Sequence, residues 1–333
     1  SGDFRVVGTT VTAQADLGIS NFTVATGSGE TATLQSDSES SGTPFTVTIG
    51  TAFELASGSL AHGDTDLQID GTFAYTGSGN PETEIEATGG LVDLNNAGLS
   101  LALDNALAVS NLKVTENADL GTDDVNLTIG SRLELDDQFD ASTSSGSVFM
   151  RNDATVQRLA GTSVSDEDNP LTETLAVSGS DQYNIVYGEA STNNYNSDQE
   201  LVSGQINRLT VNSGGTGGPG DAVFLTDRVA SDNVRVEVLE LEYGTLDYGG
   251  TNGRQLEIAD GGEVIRYPDA ALADDPNDST EDDDGSGDPA DNPAPLAAEG
   301  TFALEYEGGG DDTNTGSPFS ASALEFTSDV SSL

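Results

Sequence analysis

The chain has 333 residues, of which 58 are acidic and 10 are basic, and its formal net charge is −48 at pH 7. This charge repels nucleic acid and anionic membrane surfaces, and it excludes both as partners that bind by electrostatic attraction. The sequence contains no cysteine, which excludes disulfide bonds, thiolate catalysis and cysteine-ligated metal sites. Carboxylates occur throughout the sequence and the only lysine is Lys113. This pattern favours a protein that works at high salt, where the screening length falls to about 3 Å.

Apolar and polar residues alternate along most of the chain, and this alternation predicts β-strands with one buried face. Long segments with the helical period are absent from the sequence, and no apolar run approaches the length of about 18 residues that a membrane-spanning helix needs. We therefore predict an all-β protein. The clearest alternating segments, in chain order, are 45–49, 99–103, 125–129, 234–238 and 255–258.

Internal repeats are the most informative feature of the sequence. The segment 11–18 returns at 114–121 with six of eight positions identical, and Thr48-Ile-Gly-Thr-Ala-Phe-Glu-Leu55 returns as Thr128-Ile-Gly-Ser-Arg-Leu-Glu-Leu135. The two copies of the first segment lie farther apart in the sequence than the two copies of the second. We attribute this to extra residues in the first copy, in a polar stretch that we interpret as a surface loop.

Two further repeats complete the pattern. Gly71-Thr-Phe-Ala-Tyr75 returns at 300–306 and more distantly at 181–187, and 150–158 parallels 258–266. The repeating unit therefore spans roughly 105 to 120 residues and occurs about three times.

The repeats divide the chain into five predicted segments. Residues 1–70 form a partial β repeat, 71–180 and 181–273 form full repeats, 274–299 form an acidic linker rich in Pro and Asp, and 300–333 form a partial repeat. Two architectures fit these units, a parallel β-helix (solenoid) and tandem β-sandwiches. Short strands followed by Gly, Asn or Asp turns, without long crossover helices, favour the parallel β-helix.

At this point the chain resembles the secreted parallel β-helix adhesins and surface-filament proteins of bacteria. The resemblance is carried by the strand Tyr183-Asn-Ile-Val-Tyr-Gly188 together with Leu209-Thr-Val-Asn212 and Gly244-Thr-Leu-Asp247. It implies an extracellular, cell-surface role that is structural or adhesive, and it transfers no catalytic residues. A secreted protein would agree with interpreting Ser1 as a processed terminus, the alternative being a boundary introduced when the protein was produced.

We predict no catalytic residues and no enzymatic activity. The only histidine, His62, lies in a Gly-containing turn sequence, and we interpret it as a surface residue without a role. Polysaccharide hydrolysis on a β-helix would need two carboxylates about 5 to 9 Å apart. The candidates are 136, 137 and 140 (all Asp) and 237, 240 and 242 (all Glu), but so acidic a chain must contain such clusters, and a solvated face is the simpler interpretation.

Tyrosines concentrate between Tyr183 and Tyr267. Stacked on one face they would form a platform for a polysaccharide, whereas Tyr183 and Tyr187 as inward strand residues would pack in a core. The sequence favours the core.

Calcium is the ligand with the clearest sequence pattern. Asp282, Asp284 and Asp288 surround Gly285 in the acidic linker, and short carboxylates on a glycine turn supply the hard oxygen ligands that Ca²⁺ prefers. The spacing differs from that of an EF-hand. We expect calcium here as the only cofactor, the alternative being a diffuse cation atmosphere.

The spacing of the repeats also predicts assembly. The distance from Gly300 to the last residue, continued from the first residue to Val11, matches the internal distance from Gly71 to Val114 within one residue. We therefore predict a head-to-tail homopolymer, a filament or sheath, in which Phe302, Leu304, Tyr306, Leu324 and Phe326 lie on strands that pair with the next copy. The same spacing would also arise if the sequence were an excerpt from a longer tandem array or if the two ends met within one molecule. The alternative functions are a monomeric surface adhesin or carbohydrate-binding module and a polysaccharide-active enzyme.

Overall fold

The computed structural model describes residues 2–8, 10–13, 15–27, 29–36, 44–77, 84–121, 125–140, 146–159, 171, 175–188, 195–196, 200–202, 204–212, 222–224, 234–247, 256–266, 270–273, 297–298 and 303–306.

The described residues form parallel β-strands stacked as a β-solenoid of about 7 turns, and no helix occurs among them. The all-β prediction and the choice of a parallel β-helix over tandem sandwiches are thus confirmed. Nothing in the part of the chain that the structure describes is a helix long and apolar enough to cross a membrane.

The chain divides into two compact units, which we describe separately. Unit 1 comprises Ser1–Val156 and Pro170–Gly179, and unit 2 comprises Gln157–Asn169 and Ser180–Leu333. The division falls within strand β17 (Thr155–Arg158). The predicted repeat boundaries follow sequence similarity rather than compactness, and they stay a prediction.

The described strands of unit 1 are mostly short, and four of them have eight or more residues. They are β1 (Asp3–Val6), β2 (Thr10–Ala13), β3 (Leu17–Ala25), β4 (Thr31–Ser36), β5 (Thr46–Ser57), β6 (Ser59–Gly63), β7 (Asp66–Ile69), β8 (Thr72–Tyr75), β9 (Glu84–Ala87), β10 (Val92–Leu94), β11 (Leu99–Leu103), β12 (Leu107–Val114), β13 (Ala118–Asp119), β14 (Leu127–Leu135), β15 (Phe139–Asp140), β16 (Val148–Met150) and β18 (Ala176–Val177).

The core of unit 1 consists of columns of inward side chains. Parallel pairing keeps equivalent positions of successive turns in register, so a period-two sequence aligns its apolar residues in one column. One such column is fully buried over most of its length and contains Val47, Leu67, Val92, Leu112 and Leu133.

A second column is aromatic. Phe4 pairs with Phe22, Phe22 with Phe53 and Phe53 with Phe73, and the successive ring centroids lie 5.5, 5.7 and 5.1 Å apart in tilted or edge-on contact. These are the separations at which aromatic pairs attract. Below Phe73 the column continues in register with Leu101. We call these five residues the phenylalanine column.

The repeat of Thr48-Ile-Gly50 at Thr128-Ile-Gly130 corresponds to a β-bulge that occurs twice in unit 1. In the β3–β5 pair the register shifts between Ile19 and Asn21, so β5 gains one residue beside Gly50. The β12–β14 pair shifts in the same way, and β14 gains one residue beside Gly130. The shared Thr-Ile-Gly motif therefore encodes a bulge, which bends the strand and turns the chain.

One glycine of unit 1 is required by a close approach of two backbones. A Cβ atom added to Gly71 would lie 2.1 Å from the carbonyl oxygen of Thr51 in the preceding turn. The repeated sequence Gly-Thr-Phe-Ala thus begins with glycine at residue 71, because no side chain fits between these turns.

Unit 2 contains fewer described strands. They are β19 (Tyr183–Tyr187), β20 (Tyr195–Asn196), β21 (Ile206–Asn212), β22 (Ala222–Phe224), β23 (Val234–Asp247), β24 (Leu256–Arg266), β25 (Ala270–Ala273), β26 (Ala297–Ala298) and β27 (Ala303–Tyr306). One register column of this unit contains Ile185, Leu209, Leu239, Val264 and Leu304. Its first four members have no exposed surface.

The predicted acidic linker falls almost entirely outside the described residues. Of 274–299, only Ala297–Ala298 are described, and they form β26, which pairs with β24.

Candidate functional site

The most elaborate group of polar side chains in the described residues is buried in unit 2. We call it the buried polar cluster, and it comprises Arg158, Tyr183, Tyr187 and Glu200. Strand β17 ends at Arg158, and β19 places Tyr183 and Tyr187 on its inward face, four residues apart. Glu200 enters from the segment 200–202 and has no exposed surface. The cluster therefore forms inside the solenoid.

Glu200 is the centre of this cluster. Its Oε1 atom lies 2.6 Å from Nη1 of Arg158 and accepts a hydrogen bond of 2.8 Å from the hydroxyl of Tyr187. Its backbone carbonyl accepts a hydrogen bond from the hydroxyl of Tyr183. The Arg158 guanidinium also lies over the Tyr187 ring, 5.9 Å from the centroid, at the distance of a cation–π contact. Among the described residues, Oε2 of Glu200 has no hydrogen-bond partner.

Burial sets the protonation state of the two tyrosines. It raises the pKa of Tyr187 well above the ordinary value, and the neighbouring Glu200 carboxylate raises it further, against the opposing effect of Arg158. The pKa of Tyr183 is raised too, chiefly by burial. Both hydroxyls thus remain neutral donors to Glu200. Because every member is buried, the cluster has no surface that a substrate reaches, and its chemistry is that of a buried, hydrogen-bonded ion pair.

The interpretation of Tyr183 and Tyr187 as core residues rather than a sugar platform is confirmed, since neither has exposed surface. Arg158 and Glu200 were not predicted. They lie 42 residues apart; Arg158 ends the repeated segment 150–158, but nothing in that repeat points to a buried partner, and Glu200 lies in no repeat.

The interpretation of His62 as a surface residue is wrong. His62 lies on β6, where Leu60 and His62 both point inward and have no exposed surface. The alternation Ser59-Leu60-Ala61-His62 was the available signal, and the neighbouring glycine obscured it. The imidazole Nδ1 lies 2.6 Å from the carbonyl oxygen of Thr65.

The aspartates proposed as a carboxylate cluster are half-buried and occupy the end of one turn and the start of the next. The backbone amides of Asp136 and Asp137 both donate to the carbonyl of Val114, and the Asp137 carboxylate accepts from the amide of Gln138. Asp140 lies in β15, in register with Asp119 of β13. These contacts are those of a polar turn rather than of two carboxylates converging on a substrate.

The glutamates of β23 each have a side-chain partner outside that strand. Glu240 pairs with Arg208, Glu242 accepts a hydrogen bond of 2.7 Å from Asn212, and Glu237 accepts one of 3.4 Å from Gln182. Partial burial, followed by the nearby charge of Glu240, raises the pKa of Glu242. The row is half-buried and cross-linked, and it belongs to the outer wall of the solenoid.

The structure describes only some of the remaining predicted site residues. Asp282, Asp284 and Asp288 of the calcium pattern lie outside the described residues, as do Phe302, Leu324 and Phe326 of the assembly strands. Leu304 and Tyr306 lie on β27. The described part of the chain contains no group of three or more His, Cys, Asp or Glu residues that could hold a metal ion.

The outermost described strand of unit 1 is a second candidate site. Strand β1 pairs with β3 along 3–6, and the β3 residues that precede this pairing have no described strand above them. The two large hydrophobic residues that are exposed among the described residues both lie here, Val7 with 60% and Leu17 with 40% of its surface accessible. Phe4, the end of the phenylalanine column, is only half-buried, whereas Phe22 is buried. We call Phe4, Val7 and Leu17 the open end of unit 1.

No family model matches this chain, and neither a curated protein nor a solved structure matches it.

Proposed function

We propose that the protein is an extracellular structural protein whose copies assemble end to end at high salt. The observation that carries the proposal is the open end of unit 1, where the apolar columns continue to a strand that nothing described covers. A strand with an unpaired edge, above which an apolar column ends, is a place where a further strand can add.

A second copy of the chain is the occupant that fits this surface. Parallel strands add to a solenoid in register, so a further strand above β1 would pair its backbone groups and cover Phe4. Strand β27 is suited to this, because among the described strands it pairs with β24 alone and continues the register column that contains Leu304. A contact between two different ends does not close on itself and builds an open filament.

Charge sets the conditions for assembly. Copies with a net charge of −48 repel one another, and salt at molar concentration shortens the range of this repulsion to about 3 Å. Four of the described arginines, Arg132, Arg151, Arg158 and Arg208, each pair with a glutamate of the same chain. They therefore do little to offset the repulsion between copies, and screening by dissolved ions is needed.

Electron microscopy and sedimentation velocity of the full chain at about 0.05 M and about 2 M NaCl test this proposal. We expect filaments at high salt only. The variant Val7→Asp changes an exposed side chain at the open end and should remain folded but monomeric. Ser131→Asp, at an exposed position of β14 away from that end, is the matched control and should assemble as the unaltered chain does.

Two results would contradict the proposal. A chain that stays monomeric at high salt would favour the alternative of a monomeric surface adhesin. Filaments of normal length from Val7→Asp would place the contact elsewhere. The same samples with and without about 1 mM Ca²⁺ test the calcium prediction, and indifference to a chelator would reject it.

A further inference from the structure

The buried histidine of unit 1, His62, is an ionisable group in the core. The sequence contains no other histidine, and this one is enclosed in the core with the Nδ1–H donating to the Thr65 carbonyl at 2.6 Å. That bond makes Nε2 the unprotonated nitrogen of the neutral ring. Within the described part of the chain Nε2 has no hydrogen-bond partner, and neither does the buried hydroxyl of Thr65. A proton that binds Nε2 would therefore give the buried ring a positive charge and an N–H group without a hydrogen-bond acceptor.

The tight turn formed by residues 62–65 is also hydrogen-bonded to the next coil of the solenoid. Gly63 has a φ of +56°, a conformation that glycine adopts without strain. Its carbonyl oxygen accepts the amides of Thr88, Gly89 and Gly90 at 2.9, 3.3 and 3.0 Å. A displacement of residues 62–65 would thus break three hydrogen bonds to the next turn.

The charged groups around His62 are mainly carboxylates at the surface. Strand β6 packs between β4, which contains no titratable residue, and β9, which carries Glu84 and the exposed Glu86. Glu84 is paired with Arg151. On the turn itself Asp64 is exposed, and Asp66 is half-buried and accepts the amide of Leu91. Glu30, which precedes β4, is exposed.

Burial has the largest effect on the pKa of His62. It lowers the pKa of His62 below its ordinary value, and the hydrogen bond to Thr65 and the charge of Asp66 oppose this only in part. The imidazole is therefore neutral in the folded chain at neutral pH.

We propose that His62 makes unit 1 acid-sensitive, because its protonation expels the ring from the core and opens the turn that links two successive coils. This role does not depend on end-to-end assembly. The unfolded chain binds the proton more readily than the folded chain does. The stability contributed by the neutral ring is thus fully present above the ordinary histidine pKa of about 6.5 and is lost as the pH falls from there toward the lowered pKa of the folded state. One such group lowers the folding equilibrium constant by at most about tenfold per pH unit.

Two carboxyl groups act in the opposite direction. The pKa of Asp93 is raised mainly by burial, as is that of Glu242. These groups bind protons more tightly in the folded state, so they add stability as the pH falls. A loss of stability between about pH 7 and about pH 5 can therefore be separated from the response of these groups.

The single imidazole gives a direct test by nuclear magnetic resonance of the full chain at high salt. We expect the folded protein to show one neutral ring with its proton on Nδ1, which does not titrate near pH 6.5, and the chain unfolded in urea to titrate there. A folded-state imidazole that titrates at or above 6.5 would overturn the proposal.

The variant His62→Asn gives an independent test. Asparagine can retain a donor near the Thr65 carbonyl but does not titrate. In denaturant titrations at about pH 7 and about pH 5, the unaltered chain should lose folding stability by up to about tenfold per pH unit, and the variant should lack this loss. His62→Gln serves if the first variant does not fold. An identical pH dependence in the unaltered chain and a folded variant would also overturn the proposal.

Discussion

Two regions fill the same kind of solenoid interior in opposite ways. The phenylalanine column of unit 1 is apolar, and its three inner rings have about 1% of their surface exposed. The buried polar cluster of unit 2 places an ion pair and two hydroxyls in an equally inaccessible interior. Inward strand positions thus accept either an apolar stack or a charged group, provided that the charged group is given partners.

The two regions differ in how they depend on their members. Each ring of the phenylalanine column contributes burial and contact with its neighbours, so the loss of one ring leaves the others in place. In the buried polar cluster, Arg158 neutralises a carboxylate that has no access to water. Removing one partner there leaves a buried charge, which costs more than the pair contributes.

The largest effect should follow from breaking the ion pair. We expect Arg158→Met to lower the free energy of unfolding by about 4 kcal/mol, because Glu200 remains buried without its counter-charge. The double variant Arg158→Met with Glu200→Leu should recover most of that loss. Denaturant titrations of the three chains measure this, and equal losses in the single and double variants would contradict the account of the cluster.

A smaller effect is expected in the phenylalanine column. Phe53→Ala removes a buried ring between two others and should cost about 3 kcal/mol. Phe4→Ala is the matched control at the half-buried end of the same column, and it should cost about 1 kcal/mol. The same titrations compare the two variants, and equal costs would show that the column does not end at Phe4.

The close approach of two turns gives the third test. Gly71→Ala places a Cβ against the Thr51 carbonyl and should cost about 2 kcal/mol, since the backbones must separate. Gly18→Ala, where a Cβ would meet nothing within 4 Å, should change stability by less than about 0.5 kcal/mol. Thermal melts distinguish the pair, and a harmless Gly71→Ala would mean that the turns relax freely.

The smallest effect should come from a surface ion pair. Arg132 lies 3.0 Å from Glu134, but 37% of its side chain is exposed. Arg132→Ala should therefore cost less than about 0.5 kcal/mol, and about 2 M NaCl should remove even this difference. A cost near that of Arg158→Met would erase the contrast between buried and exposed pairs.

Features that recur along the sequence, such as the strands, could be predicted from it, whereas features that occur once could not. Val47 and Ile49 were assigned to a strand because they alternate with polar residues, as were Leu127 and Ile129 in the segment that shares the Thr-Ile-Gly motif, and all four are buried. The β-bulge beside Gly50 and Gly130 was encoded in the same motif but not foreseen, since local sequence does not fix pairing register.

The polar interior could not be predicted for a different reason. Glu200 is one of 58 acidic residues, and its partner Arg158 has no periodic relation to it. His62 shared its alternation with Leu60, yet a histidine beside glycine is ordinarily an exposed turn residue. Which polar residues become buried depends on the path of the whole chain, which local patterns do not contain.

The stacking of strands also governs how unit 1 bears tension. Each described strand of unit 1 is hydrogen-bonded to strands of adjacent turns, as β3 is to β1 and β5. Force applied at Gly2 along the stack would peel the outermost described coil before the next one is loaded. The chain released at each step spans the distance between successive members of a column, at about 3.3 to 3.6 Å per residue. Since Phe22 and Phe53 are farther apart in the sequence than Phe53 and Phe73, the steps of the extension would differ in length, and the longest would come from the longest stretch of chain between two members of a column.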